Sequence, residues 1–199
     1  MNQITALKEI DKRKVSIEID GEYAGFLYHG EMRRLKIVSG KELTEQELDE
    51  LNDVIYKRAK ERSLYIIERT EKTSKEIKEK LVLNGYPEKV AMRVISFLTK
   101  YGFVNDEDYA RRYMQYKSSK RSLRQIRMEL MRKGISKDVL SSIEEDMKID
   151  ESETIRILAR KKYRSLDSLD ETEKRKLIRY LLGKGFSYEK IKDALTFGI

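Results

Sequence analysis

Val15, Ile17 and Ile19 alternate with Ser16 and Glu18, the period of a half-buried strand. Asp20-Gly21 follows, a pair suited to the two-residue turn of a hairpin, and Tyr23 to Tyr28 then forms the returning strand. Ile4 to Ile10 supplies a third, so residues 1–43 are expected to hold a small β-rich N-terminal extension. Its Lys8, Lys12, Arg13 and Lys14 are read as charges that keep edge strands from pairing with other chains. From Lys41 the period lengthens: Thr44 with Glu47 makes a capping box and leads into Leu48, Leu51, Ile55 and Ala59 at helical spacing. Everything beyond reads as helix. The one proline, Pro87, and most glycines of this body stand where helices would end.

One phrase recurs three times: Leu81-Val-Leu-Asn-Gly85-Tyr86-Pro87, Leu130-Met-Arg-Lys-Gly134-Ile135-Ser136 and Leu181-Leu-Gly-Lys-Gly185-Phe186-Ser187. In each, an apolar helix stops on glycine, an apolar residue packs back, and Pro or Ser opens the next helix. The hinge glycines lie 49 and 51 residues apart. Another amphipathic helix precedes each hinge, marked by Ala59 and Leu64, by Tyr109, Ala110, Tyr113 and Met114, and by Leu158, Ala159 and Tyr163. The fold class is therefore mainly α: tandem three-helix repeats over 44–101, 102–148 and 149–199. Units this small bury little core alone and are expected to stack into an elongated body.

In the middle unit Asn105 is placed to cap the first helix, with Asp106, Glu107 and Asp108 in the favourable first turn. Ser122 with Gln125 makes a second capping box, and Ser136 opens the third helix. Tyr109 and Tyr113 fall on the core face; Tyr116 is open to either a core or a base-stacking reading.

Charge then changes the picture. The chain of 199 residues has 43 Lys and Arg against 35 Asp and Glu, a net charge of +8. Between Tyr109 and Lys133 stand nine bases, Arg111, Arg112, Lys117, Lys120, Arg121, Arg124, Arg127, Arg132 and Lys133, against the single acid Glu129. Ser136 to Thr154 inverts this with seven acids and two lysines, and Arg156, Arg160, Lys161, Lys162 and Arg164 return to positive charge. Like charges at close helical spacing repel, so the segregation favours a binding surface over a solvated face. The nine bases are the candidate partner or DNA contacts. Charge alone suits a phosphate backbone and an acidic protein equally.

Catalytic chemistry finds little support. Cysteine is absent and His29 is the single histidine, read as a loop or surface residue, so thiolate metal sites, disulfides and Ser/His pairs have no basis. The dipole accounts for the acids at Asp106 to Asp108 without a metal. No phosphate loop or nucleophile elbow occurs, and no cofactor is expected. Apolar stretches such as Ala24 to Tyr28 are far shorter than a membrane span, and residues 1–10 lack the apolar core of a secretion signal. A cytoplasmic protein with no membrane partner is expected.

Gly102-Phe103-Val104-Asn105-Asp106-Glu107-Asp108-Tyr109-Ala110, followed by Ile126-Arg-Met-Glu-Leu130-Met-Arg-Lys-Gly134-Ile135, closely resembles the central signature of the RecX family of recombinase regulators. Length, β-rich extension and three helical repeats are similar too, so the resemblance spans the chain. Asn105 stands where Asp is usual and Ser122 where Gly is common; each still caps a helix. The resemblance implies a protein without an active site that binds the RecA filament on DNA and modulates, usually inhibiting, its ATPase and strand exchange; a monomer is expected. Without that resemblance an autonomous helix-turn-helix DNA-binding protein is the alternative.

Overall fold

The computed structural model describes residues 2–166 and 168–195. Strands β1 (Ile4–Glu9), β2 (Lys14–Ile19) and β3 (Glu22–Tyr28) form an antiparallel sheet in the order β1-β2-β3. Asp20 and Gly21 both have positive φ, 51° and 83°, the conformation of a primed turn that lets β2 and β3 pair with their natural twist. Lys8 pairs across the sheet with Glu18 at 2.7 Å.

A short helix α1 (His29–Arg34) follows β3 directly. The hydrophobic period of the sequence does not mark it, because six residues, none buried, carry no apolar stripe. It starts instead on a box in which the Tyr28 N–H donates to Glu31 Oε2 at 2.9 Å. His29 thus opens a helix rather than lying in a loop.

Among the described residues nine further helices fall into three groups. The first is α2 (Glu45–Arg69), α3 (Ser74–Leu83) and α4 (Glu88–Lys100). The second is α5 (Asp106–Ser118), α6 (Leu123–Arg132) and α7 (Lys137–Met147). The third is α8 (Ser152–Lys162), α9 (Glu171–Gly183) and α10 (Tyr188–Leu195). Contacts gather these into two compact units, Met1–Asn105 and Asp106–Ile199.

The expected box of Thr44 and Glu47 opens α2, and Thr73 with Glu76 and Asp170 with Glu173 open α3 and α9 in the same way. All three hinges close as the same double-bonded stop. The amides of Tyr86, Ile135 and Phe186 reach back to the carbonyls of Leu81, Leu130 and Leu181 at 3.1, 3.0 and 3.3 Å. The glycine before each has φ of 87°, 97° or 87°, a region where a Cβ would collide with the backbone. Leu81, Leu130 and Leu181 are fully buried, and burial of each leucine side chain contributes about 2 kcal/mol.

In the first unit the sheet and the helices share one core. Ile4, Ile17, Phe26 and Leu27 pack with Leu51, Ile55, Leu81, Val94 and Leu98. Arg58 of α2 joins them: its guanidinium lies 4.4 Å from the Phe26 ring, donates to the Phe26 carbonyl and pairs with Glu31 at 3.2 Å. The Tyr23 hydroxyl donates to the Gly85 carbonyl at 2.7 Å, holding the first hinge against β3. Burial is the main cause that raises the pKa of Tyr23.

Candidate binding face for an anionic or acidic partner

The acids that open α5 suit the positive end of its dipole, and they also meet bases one turn on. Glu107 pairs with Arg111 at 2.9 Å and Asp108 pairs with Arg112. Arg111 reaches Asp146 of α7 as well, at 2.7 Å. The hydrogen bonds that Arg111 donates, to Asp146 first and Glu107 second, raise its pKa. Arg127 of α6 pairs with Glu144 at 2.7 Å and donates to the Ser141 hydroxyl. Arg121 pairs with Glu129, whose other oxygen accepts from Tyr113 at 2.6 Å. The acidic stretch of the sequence therefore folds back on the basic one. Arg111, Arg112, Arg121 and Arg127 all answer carboxylates of their own unit, which lowers the charge they present to a partner.

Lys117 and Lys120 surround Tyr116, with ammonium groups 5.4 and 4.5 Å from its ring. Lys120 donates to the Tyr116 hydroxyl at 3.3 Å, and that bond, then the charges of Lys120 and Lys117, lowers the phenol pKa. Tyr116 is 63% exposed and stands outside the core, whereas Tyr109 and Tyr113 pack on it, their rings 6.0 Å apart. Lys133 lies over Tyr109 at 5.5 Å, and Arg124 is exposed on α6.

Lys120, Arg121 and Arg132 come together around an open basin of about 490 Å³, joined by Lys184 from the third hinge. Met128 gives it an apolar floor and Glu129 is its one acid, already engaged by Arg121 and Tyr113. Arg124 and Arg127 line a different hollow with Glu144, Glu151 and Lys190. Lys184 escaped sequence reasoning because it lies 63 residues beyond Arg121. Its signal was present all the same, since it precedes Gly185 as Lys133 precedes Gly134.

The basin depends on a polar seam between the second and third helical groups. Ser122 accepts from the Gln125 amide, which is its half of the expected box, and donates its hydroxyl to the Lys184 carbonyl at 2.7 Å. Thr154 donates to the Ser118 carbonyl at 2.6 Å. Glu151, 5% exposed, accepts from the Leu123 amide at 2.8 Å and from Lys190 at 2.6 Å. It thereby caps α6 from another helical group. Glu151→Ala is expected to cost about 2 kcal/mol through the lost cap and the orphaned amide. Glu151→Gln, which keeps an acceptor for Leu123, should cost less than half of that in urea unfolding; equal losses would assign the effect to the Lys190 pair.

Among the described residues no three His, Cys, Asp or Glu side chains gather as metal ligands, and no helix is long and apolar enough to cross a membrane. The family models for the first, second and third three-helix domains of RecX match residues 59–98, 105–142 and 150–195. The regulatory protein RecX of Clostridium botulinum strain Eklund 17B is 38% identical over 100% of this chain and 97% of its own length. That of Clostridium acetobutylicum is 34% identical over 98% and 95%. A crystal structure of regulatory protein RecX superposes with a TM-score of 0.64 at 23% identity, covering 97% of this chain and 100% of the other. RecX from Lactobacillus salivarius gives 0.65 at 23% identity, over 72% and 96%. At such identity the structures speak for the fold alone, which they share with the three helical groups described above. With a full-length relative above 30% identity, all three domain models matched in order, and the Gly102 to Ala110 segment in place, the chain belongs to the RecX family of regulatory proteins.

Proposed function

We propose that this protein is a non-enzymatic regulator of recombination and DNA repair in the cytoplasm. It acts as a monomer that binds the RecA filament on DNA and lowers its ATPase and strand-exchange activity. The observation that carries the reading is membership of the regulatory family along the whole chain. The basin of Lys120, Arg121, Arg132 and Lys184 supports it with a cationic surface suited to an acidic protein face or a phosphate. In this reading the small β-rich extension 1–43 and the three helical repeats 44–101, 102–148 and 149–199 supply the surface for contact. Of the nine bases between Arg111 and Lys133, those at the basin make the contact and those paired to α7 and α5 carboxylates brace the fold.

Autonomous reading of duplex DNA fits less well. A helix-turn-helix reader sets the helix after the hinge into the major groove. In the middle group that helix is α7, which bears Asp138, Glu144, Glu145 and Asp146 against Lys137 and would be repelled by phosphates.

The test is titration of the full chain into RecA assembled on single-stranded DNA. Co-sedimentation with the filament and a saturable fall in ATP hydrolysis are expected. Unchanged hydrolysis without co-sedimentation sinks the proposal.

A further inference from the structure

A fourth glycine stop ends α4, and it differs from the three hinges in one respect. The Phe103 amide reaches back to the Leu98 carbonyl at 2.9 Å and Gly102 has φ of 72°, the same stop as at Gly85, Gly134 and Gly185. At those hinges the apolar residue after glycine is buried: Tyr86 is 8% exposed, Ile135 4% and Phe186 3%. Here Phe103 is 52% exposed, and the core position passes to Val104, 5% exposed. Tyr101, just before the glycine, is 62% exposed. Phe103 belongs to the signature segment, yet it takes no part in the first unit's core.

These rings do not stand alone. Phe97 lies behind both, with ring centres 4.7 Å from Tyr101 and 6.1 Å from Phe103, the latter pair inclined by only 22°. Lys60 of α2 sits 4.8 Å from the Phe97 ring and Lys100 5.9 Å from the Tyr101 ring. Among the described residues neither ammonium has a carboxylate partner. Further along, Arg93 covers Tyr56 at 4.0 Å but is answered by Asp53 at 3.7 Å, so the cationic excess lies at the Lys60 and Lys100 end. Exposed rings beside unpaired ammonium groups suit a ligand that has flat apolar faces and a regular negative charge. A protein patch of the usual apolar kind would sit poorly here, because burying Lys60 and Lys100 without carboxylates costs their hydration.

We propose that Tyr101 and Phe103 form a stacking platform for the bases of single-stranded nucleic acid, with Lys60 and Lys100 meeting its phosphates. Base–aromatic stacking tolerates any sequence, and the bases of a duplex are not available to it. The site lies within the first unit, shares no residue with the basin, and is independent of recombinase binding.

The chain contains no tryptophan, so Phe103→Trp introduces a single reporter at the platform. Titration of the full chain with an oligothymidylate of about 12 nucleotides should quench its emission saturably, and a duplex of the same length should not. In the parent chain, the pair Tyr101→Ala and Phe103→Ala should weaken anisotropy-detected binding of that oligonucleotide by at least about 5-fold. Tyr101→Phe, which keeps the ring, should leave binding unchanged, and the thermal midpoint should move little because both rings are exposed. Three results overturn the proposal: unquenched emission at saturating oligonucleotide, equal quenching by duplex, or quenching that appears only when a recombinase filament is added. The last assigns the rings to a protein contact.

Discussion

Lys120→Glu, Arg132→Glu and Lys184→Glu combined are expected to weaken binding to the recombinase filament by about 100-fold. Each reversal trades an attraction for a repulsion worth about 1 kcal/mol at moderate salt, and about 3 kcal/mol corresponds to that factor. The fold should survive, because the seam bond at Lys184 uses its backbone carbonyl and leaves the side chain out of it. The loss should shrink as salt rises, since exposed charges are screened. Arg111→Gln gives the contrast. Its guanidinium is held by Asp146 and Glu107, so the change should lower stability slightly and filament affinity by less than about 3-fold. Equilibrium binding by anisotropy of a labelled filament checks both. Full affinity in the triple variant would remove the basin as a contact, and a large loss in Arg111→Gln would move the contact to α5.

The second large effect belongs to Gly185→Ala, expected to destabilise the second unit by about 3 kcal/mol in denaturant unfolding. Two terms of similar size add. A residue with a side chain held at φ of 87° costs about 1–2 kcal/mol. The new Cβ would also stand 2.6 Å from Ser122 Oγ, which must withdraw and leave the Lys184 carbonyl without its donor. Gly183→Ala, two residues away, is the control. It is the last residue of α9, its added methyl meets nothing within 4 Å, and a gain of up to about 1 kcal/mol is expected. Similar losses at both positions would show that the seam plays no part.

The two glycines look alike in the sequence, and their difference marks where sequence reasoning stops. The hinge stops, the turn at Asp20-Gly21, the box of Thr44 and Glu47 and the Ser136 cap are each decided by residues within a few positions of one another. All appear where the local pattern put them. The helix α1 was missed because its six residues have no buried stripe and its box begins on Tyr28, outside the usual capping residues.

Charge behaved differently. Along the chain, nine bases against one acid favour a binding surface. In space, Asp146 and Glu144 lie against Arg111 and Arg127, from 35 and 17 residues away, and only Lys120, Arg121 and Arg132 of the nine line the basin. The remaining member, Lys184, and the buried Glu151 come from the third group. Counting acids and bases assigns each to solvent by default, so it reveals neither an intramolecular partner nor a carboxylate that caps a distant helix.

By itself the sequence determined the helical grammar, the three repeats, the β-rich start and, through its signature segment, the family. These follow from hydrogen bonds and apolar contacts that close within one or two turns of chain. Only the tertiary structure decided which cations gather at the basin, that Glu151 and Ser122 lock the second group to the third, and that Phe103 is exposed while Val104 takes the core position. Those outcomes depend on through-space distances between groups remote in sequence, where a few ångströms separate a spent charge from one offered to a partner.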